Sequence, residues 1–511
     1  MLRGFWQRAL VAAAALPLVA AAAPAATLAA PAVHRAGPTG TLNVGLQSDI
    51  VTMDPSLSSA YVDRQVMINI YDSLFQYTPQ MKVEPDLVTH YAIANGGKTY
   101  KLFLRQGVMF TDGTPLNAQA VVFNLDRDRQ ASSARASTLK PITSVTAVGS
   151  DEVVIQLSAP FSPLLNVLAG RSGMIVSPTA VKKEGAAYAS DPVGSGPFEF
   201  VKWVRNDYIE LKANPHYWQA GLPKVAEVMF HPITDPTTEL NALKTGEIQI
   251  DDTVAAKDLA GAKADSAIHV WDQAGLGWDG IYINTKQKPF NSVAVRQALQ
   301  YAINRQVINR VVFLNTATAA YTEFPPAQFA YDPGLTIPYS PSKAKALLAQ
   351  AGYAHGFSFT MQGDNDPITA QMLQLIQVML KQVGITMNIQ LLDFGTLLGN
   401  ELKENYQAMS LGWSGRVDPS QNAYSFDITG GSLNQTGFGN ATIDAYMLKA
   451  QTYTSTNVRR HYYWAAAKLL DQYSPYIFLY FPATLQASSN KVTGFVGYPD
   501  GLLRLWNVSL G

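Results

Sequence analysis

The chain has 511 residues, in which 38 Lys and Arg balance 38 Asp and Glu, and 47% of residues are hydrophobic. That balance leaves no basic excess to suit nucleic acid and no polybasic run to suit a membrane surface. The absence of cysteine excludes a disulfide frame, a thiolate metal site and a cysteine nucleophile.

The N-terminus reads as an address. Arg3 and Arg8 precede an apolar run of Ala, Leu and Val over residues 9–23, and small-residue sites follow at Ala23-Pro24-Ala25 and Ala30-Pro31-Ala32. This pattern predicts a cleaved signal peptide within residues 1–32, with either site open to the peptidase. No cysteine follows the apolar run for lipid attachment, and no second apolar stretch reaches spanning length. The expectation is a soluble periplasmic protein whose mature chain of about 480 residues can build two or three domains.

The strongest periodic segments lie in the second half. A helix is predicted over 291–312, where Val295, Ala298, Leu299, Ala302 and Ile303 recur at helical spacing, with Asn291 as its N-cap and Arg296 and Arg305 on the other side. Residues 356–361 read as a strand and 369–383 as a helix, with Leu373, Ile376, Leu380 and Val383 on one face and Gly384 at its stop. Ile385, Met387, Ile389 and Leu391 then alternate as a strand does. Strand, helix and strand in that order make a βαβ unit, so the fold class is α/β with a mixed or parallel sheet.

No catalytic constellation assembles. There is no HExxH, P-loop or helix-opening GxGxxG, and the seven histidines lack metal-ligand spacing. Ser137-Thr138-Leu139-Lys140 and Lys244-Thr245-Gly246 match two elements of the penicillin-binding signature, but no SDN or SxN lies between them. The expectation is a binding protein and not an enzyme, with no metal and no cofactor. The 24 Tyr and eight Trp suit a cleft that closes on a solute, although most of them are expected simply to pack.

Several segments, in order, resemble the extracytoplasmic solute-binding proteins of family 5, the dipeptide, oligopeptide and nickel receptors of bacterial ABC importers. They are Phe110-Thr111-Asp112-Gly113-Thr114-Pro115-Leu116-Asn117-Ala118, Pro192-Val193-Gly194-Ser195-Gly196-Pro197-Phe198, Asn214-Pro215-His216-Tyr217-Trp218, Gly246-Glu247-Ile248-Gln249-Ile250 and Val295-Arg296-Gln297-Ala298-Leu299. Gly412-Trp413-Ser414-Gly415-Arg416-Val417-Asp418-Pro419 resembles the family's ligand loop. The resemblance implies a periplasmic-binding-protein type II fold of two hinged lobes. It implies lobe I at 40–60, 192–275 and 482–511, an extra subdomain at 61–191, and lobe II at 276–481.

The same resemblance implies a receptor, monomeric, that hands its solute to an inner-membrane permease driven by ATPase subunits. It places Ser59 and Tyr61, Trp278, and the loop residues Trp413, Arg416 and Asp418 at the cleft. In the family's peptide binders an acid in this loop meets the peptide's α-amino group; here the third residue after the tryptophan is Arg416, in a loop one residue shorter. A guanidinium closed away from water is costly unless paired. Either the ligand brings an anion or a protein acid such as Asp418 neutralises it. The expected solute is a small peptide or peptide-like molecule; the alternative is a non-peptide, anionic one such as an opine, sugar derivative, organic acid or metal chelate. An exported hydrolase or a peptide-holding chaperone is the reading outside transport.

Overall fold

The computed structural model describes residues 37–511; the signal-peptide reading lies outside them. Two large sheets carry the architecture. The first has seven strands in the order 268–274, 483–489, 250–251, 41–46, 227–232, 208–213 and 198–204. The second has six, in the order 318–319, 476–481, 278–283, 408–413, 357–364 and 385–392. A separate four-stranded antiparallel sheet is built from residues 88–157.

Strand Trp278–Ile283 shows how sequence sets its place. Trp278 and Tyr282 enter one core cluster, while Ile281 and Ile283 enter another. Side chains of a strand alternate between faces, so a strand apolar at nearly every position belongs in the middle of a sheet covered on both sides. The predicted βαβ unit forms at one end of the same sheet, beyond strand 408–413. Strands Phe357–Asp364 and Ile385–Leu392 pair in parallel, joined by helix Pro367–Lys381. Asp366 caps that helix by accepting from the Ile368 and Thr369 amides at 2.9 Å, and Pro367 supplies the preset first turn.

The predicted helix over 291–312 is two helices, Val293–Ala302 and Arg305–Val312. Ile303 is extended, and Asn304 starts the second helix by accepting from the Val307 amide at 3.1 Å. The predicted cap also moves, from Asn291 to Ser292. Arg296 and Arg305 are buried. Arg296 donates to the Phe290 carbonyl and to the Tyr473 carbonyl at the end of helix Thr456–Tyr473, while Arg305 donates to the Phe478 carbonyl and ties its helix to the sheet.

The chain passes between the two large sheets at adjacent places. Strand 268–274 leads into 278–283 through Gly275, Leu276 and Gly277, and strand 476–481 leads into 483–489 through Pro482. Added Cβ atoms at Gly275 and Gly277 would lie 2.5 Å from the Pro482 and Trp413 carbonyl oxygens. Only glycine allows backbone to approach this closely.

Candidate functional site

A cavity of about 390 Å³ opens where the two crossings meet. Ser59 and Tyr61 reach it from the start of helix Tyr61–Ile70, Gly275 and Pro482 from the crossings, and Trp413 and Ser414 from the loop behind strand Ala408–Trp413. Four residues singled out by sequence reach this region together, namely Ser59, Tyr61, Trp413 and, behind the wall, Arg416. Tyr61 is fixed at its hydroxyl, which donates to the Gly501 carbonyl at 2.7 Å and accepts from Gln65 Nε2 at 2.9 Å. Trp413 donates its indole N–H to the Gln421 carbonyl at 3.1 Å and carries the Arg416 guanidinium 4.3 Å from its ring centre.

Two of the residues sit differently. Trp278 pairs with Trp413 across the antiparallel strands, yet it is 1% exposed among Tyr282, Phe426, Tyr476 and Phe478 and does not line the cavity. Asp418 binds Arg459 through both oxygens, at 2.6 and 2.9 Å, and its Oδ1 also accepts from the Ser420 amide. Of the two alternatives for Arg416, neutralisation by Asp418 is corrected: Asp418 is engaged by another guanidinium, that of Arg459. Ser137 lies against the Ser425 and Ser432 hydroxyls, and Lys244 is exposed at the end of helix Pro236–Thr245, so neither forms a nucleophile–base contact with the other.

Arg416 has company that sequence reasoning missed. Its Nη1 donates to Ser414 Oγ at 3.1 Å and to the Gly415 carbonyl, and Arg64 donates to the same Ser414 Oγ at 3.3 Å. Arg135 and Arg171 converge on the neighbouring segment. Arg135 donates to the Ser58 carbonyl at 3.0 Å; Arg171 donates to Ser58 Oγ at 3.1 Å and to the Ala60 carbonyl. All four guanidinium residues are buried. Arg416 Nη2, Arg171 Nη1 and Arg135 Nε have no hydrogen-bond partner.

Nearby acids do not balance this charge. Asp500 is held by Arg504 through both oxygens and lies 4.0 Å from Arg64. Asp63 accepts from the Val51 amide and the Ser58 hydroxyl, and burial pushes it up to about 6. Burial likewise raises Asp128, beside Arg135, to about 7. Burial, followed by the charges of Arg64 and Arg135, lowers the pKa of Arg416; burial, followed by Arg416 and Arg64, lowers that of Arg171. The arrangement is a buried cluster of guanidinium groups assembled from segments up to 350 positions apart.

Another part of the cavity wall carries carboxyl groups. Glu239 and Asp252 line the wall and adjoin Asp251. Burial, then mutual repulsion, raises Glu239 well above the carboxylate range; burial also raises Asp251 to about 8 and Asp252 to about 7. The folded protein thus holds protons that the unfolded chain releases near pH 4. This contribution to stability is complete below that pH and is lost as pH rises through about 7 to 8. Glu239→Gln removes one of the titrating groups, so the ligand-free variant should gain in Tm relative to the parent between pH 5 and 8. Parallel thermal melts check this, and a constant difference across the range would contradict it.

Two β-sheet lobes bridged by paired crossings, with a solute-sized cavity at the bridge, define a two-lobed binding protein. The chain belongs to the bacterial extracellular solute-binding proteins of family 5, the receptor components of ABC importers; the family model, "family 5 Middle", matches residues 82–434. It is 32% identical to the glutathione-binding protein GsiB of Escherichia coli K12 over 470 residues, 89% of this chain and 92% of GsiB. The structure of DppA from Helicobacter pylori in complex with the peptide STSA superposes with a TM-score of 0.86 at 25% identity, covering 93% of this chain and 98% of that one. AgaA from Agrobacterium tumefaciens R10, in complex with agropinic acid, gives 0.86 at 26%, covering 92% and 99%. Among the described residues no group of His, Asp or Glu could hold a metal ion, and no helix is long and apolar enough to cross a membrane.

Proposed function

We propose that this chain is the extracytoplasmic receptor for a carboxylate-bearing solute, whose anionic group is held at Arg416 and its neighbouring arginines. One observation carries the reading: four buried guanidinium residues from both sides of the crossings meet around Ser414 and Ser58, with three of their nitrogens unpartnered. A buried charge without a partner costs several kcal/mol, and a carboxylate entering here would supply charge-assisted hydrogen bonds. Both a peptide-like solute and an opine carry such a group, and relatives of this chain are named for glutathione or bind agropinic acid.

The lobe limits proposed from sequence serve this cycle. Residues 40–60, 192–275 and 482–511 form lobe I, residues 61–191 the extra subdomain, and residues 276–481 lobe II. Ligand contacts from both sides favour the closed state by their difference in affinity for it. The closed receptor then docks on a membrane permease, whose ATPase subunits drive release. Capture requires no covalent step.

Titration calorimetry with glutathione and agropinic acid, supported by native mass spectrometry of the purified protein, tests the reading. Arg416→Gln should weaken a carboxylate ligand on the order of 100-fold, the loss of a buried charge-assisted pair. Unchanged affinity in that variant, or equal affinity for a solute whose carboxylates are amidated, would refute it.

A further inference from the structure

Away from the cavity, two parts of the chain with separate cores are joined by hydroxyl groups. Ser137 and Thr138 stand on the short helix Ala136–Leu139, whose Leu139 packs in the core of the four-stranded sheet. Ser425 and Ser432 stand beside Phe426 and Leu433, which pack in a core of the second large sheet. Ser137 Oγ lies 2.8 Å from both Ser425 Oγ and Ser432 Oγ, and Thr138 Oγ1 lies 3.0 Å from Ser425 Oγ. The Ser432 hydroxyl also donates to the Ala134 carbonyl at 3.1 Å. None of these residues lines the cavity.

A second contact crosses the same seam. Ser162 donates its amide at 2.9 Å and its hydroxyl at 3.0 Å to the carbonyl of Gln451. Gln451 lies in the last turn of helix Ala441–Thr452, where carbonyls find no partner within the helix. The end of that helix is thus completed from the other side of the seam.

The two cores share no residue, and among the described residues no ion pair joins 88–191 to 276–481. This chemistry suits a joint that opens. A hydroxyl rotates to suit its surroundings, so each member can turn to water when the seam parts, and no buried charge is left unpaired.

We infer that Ser137, Thr138, Ser425 and Ser432, with Ser162 on Gln451, form a hydroxyl latch that holds the receptor shut before any solute arrives. The two large sheets part at the crossings through Gly275 and Pro482, and the latch opens with them. A receptor already partly closed loses less of its solute's affinity to closing. The latch therefore tunes affinity for every solute alike, from residues that touch none of them. It also gives a role to Ser137, whose match to a penicillin-binding signature led to no nucleophile.

The chain contains no cysteine, so a pair of introduced cysteines takes spin labels at two known places. Lys140→Cys and Leu448→Cys are both at exposed positions, close in sequence to the latch and on opposite sides of it. The labelled parent is the mature protein washed free of solute, as native mass spectrometry verifies. Pulsed dipolar distances should show a short separation in this parent. Ser137→Ala should lower the ratio of closed to open molecules about tenfold, roughly the worth of two hydrogen bonds. Ser137→Ala combined with Ser432→Ala should make the long separation dominant. Ser158→Ala is the control and should keep the parent's distances, because that hydroxyl donates within its own side, to the Pro141 carbonyl at 3.3 Å. A parent without the short separation overturns the inference. So does a double variant that keeps the parent's distribution, or an equal shift in Ser158→Ala. No solute enters the measurement, so its outcome stands apart from the anion reading.

Discussion

Gly415→Ala is expected to cost on the order of 100-fold in ligand affinity and several degrees in Tm, more than most single substitutions in a loop. Gly415 has φ +74°, where a side chain is strained, and an added Cβ would drive into the carbonyl of Leu276 and the amide of Gly277. The loop must therefore pull away from the crossing, and it carries Trp413, Ser414 and Arg416 with it. The backbone of Arg416 is also pinned, its amide donating to Asn422 Oδ1 at 2.8 Å and its carbonyl accepting from Gln328 at 2.5 Å. A displaced loop breaks these bonds before it moves the guanidinium. Calorimetry and a thermal melt on the same preparation check both effects; wild-type affinity in Gly415→Ala would show that the ligand does not depend on this loop.

Arg459→Leu should be the most destabilising change near the site, by about 3–5 kcal/mol, because it leaves the carboxylate of Asp418 buried without its partner. Asp418 and Arg459 are each 5% exposed, and Arg459 also donates to the Ala450 carbonyl at 2.8 Å. Replacing both residues by leucine should recover a large part of the loss, since a buried ion pair is weak evidence of net stability while half of one is strongly unfavourable. Urea unfolding of the two single variants and the double variant measures the coupling. A double variant no better than Arg459→Leu would mean that the arginine acts through its bonds to the Ala450 carbonyl and the Tyr463 hydroxyl, the latter at 3.2 Å, and not through the charge.

Regular segments were legible because their periods are unambiguous. The unit from Phe357 to Leu392 shows both a helical and a strand period, and it stands where they put it. The break at Ile303 was hidden because Ile303 continues the apolar spacing of the preceding helix; only the capping geometry of Asn304 ends it. At the site, the loop bearing Trp413 and Arg416 could be found from its local pattern. Arg64, Arg135 and Arg171 could not, because nothing local marks an arginine as buried, and their meeting point depends on how the segments fold together. The pairing of Asp418 with Arg459 crosses 41 positions in the same way. Trp278 read as a cleft aromatic because it borders the crossing; its place in the strand turns it into the core.

The place of strand Ala483–Ser489 has a consequence for the birth of the protein. It lies between strands 268–274 and 250–251, inside the sheet that begins at Thr41, and Leu503, Leu505 and Val508 fill the core beneath that sheet. Nearly the whole chain must therefore emerge before the first lobe can close its own sheet. Contacts of such long sequence separation form slowly. A chain missing its last thirty or so residues therefore leaves this sheet unfinished, and the first lobe forms late in synthesis.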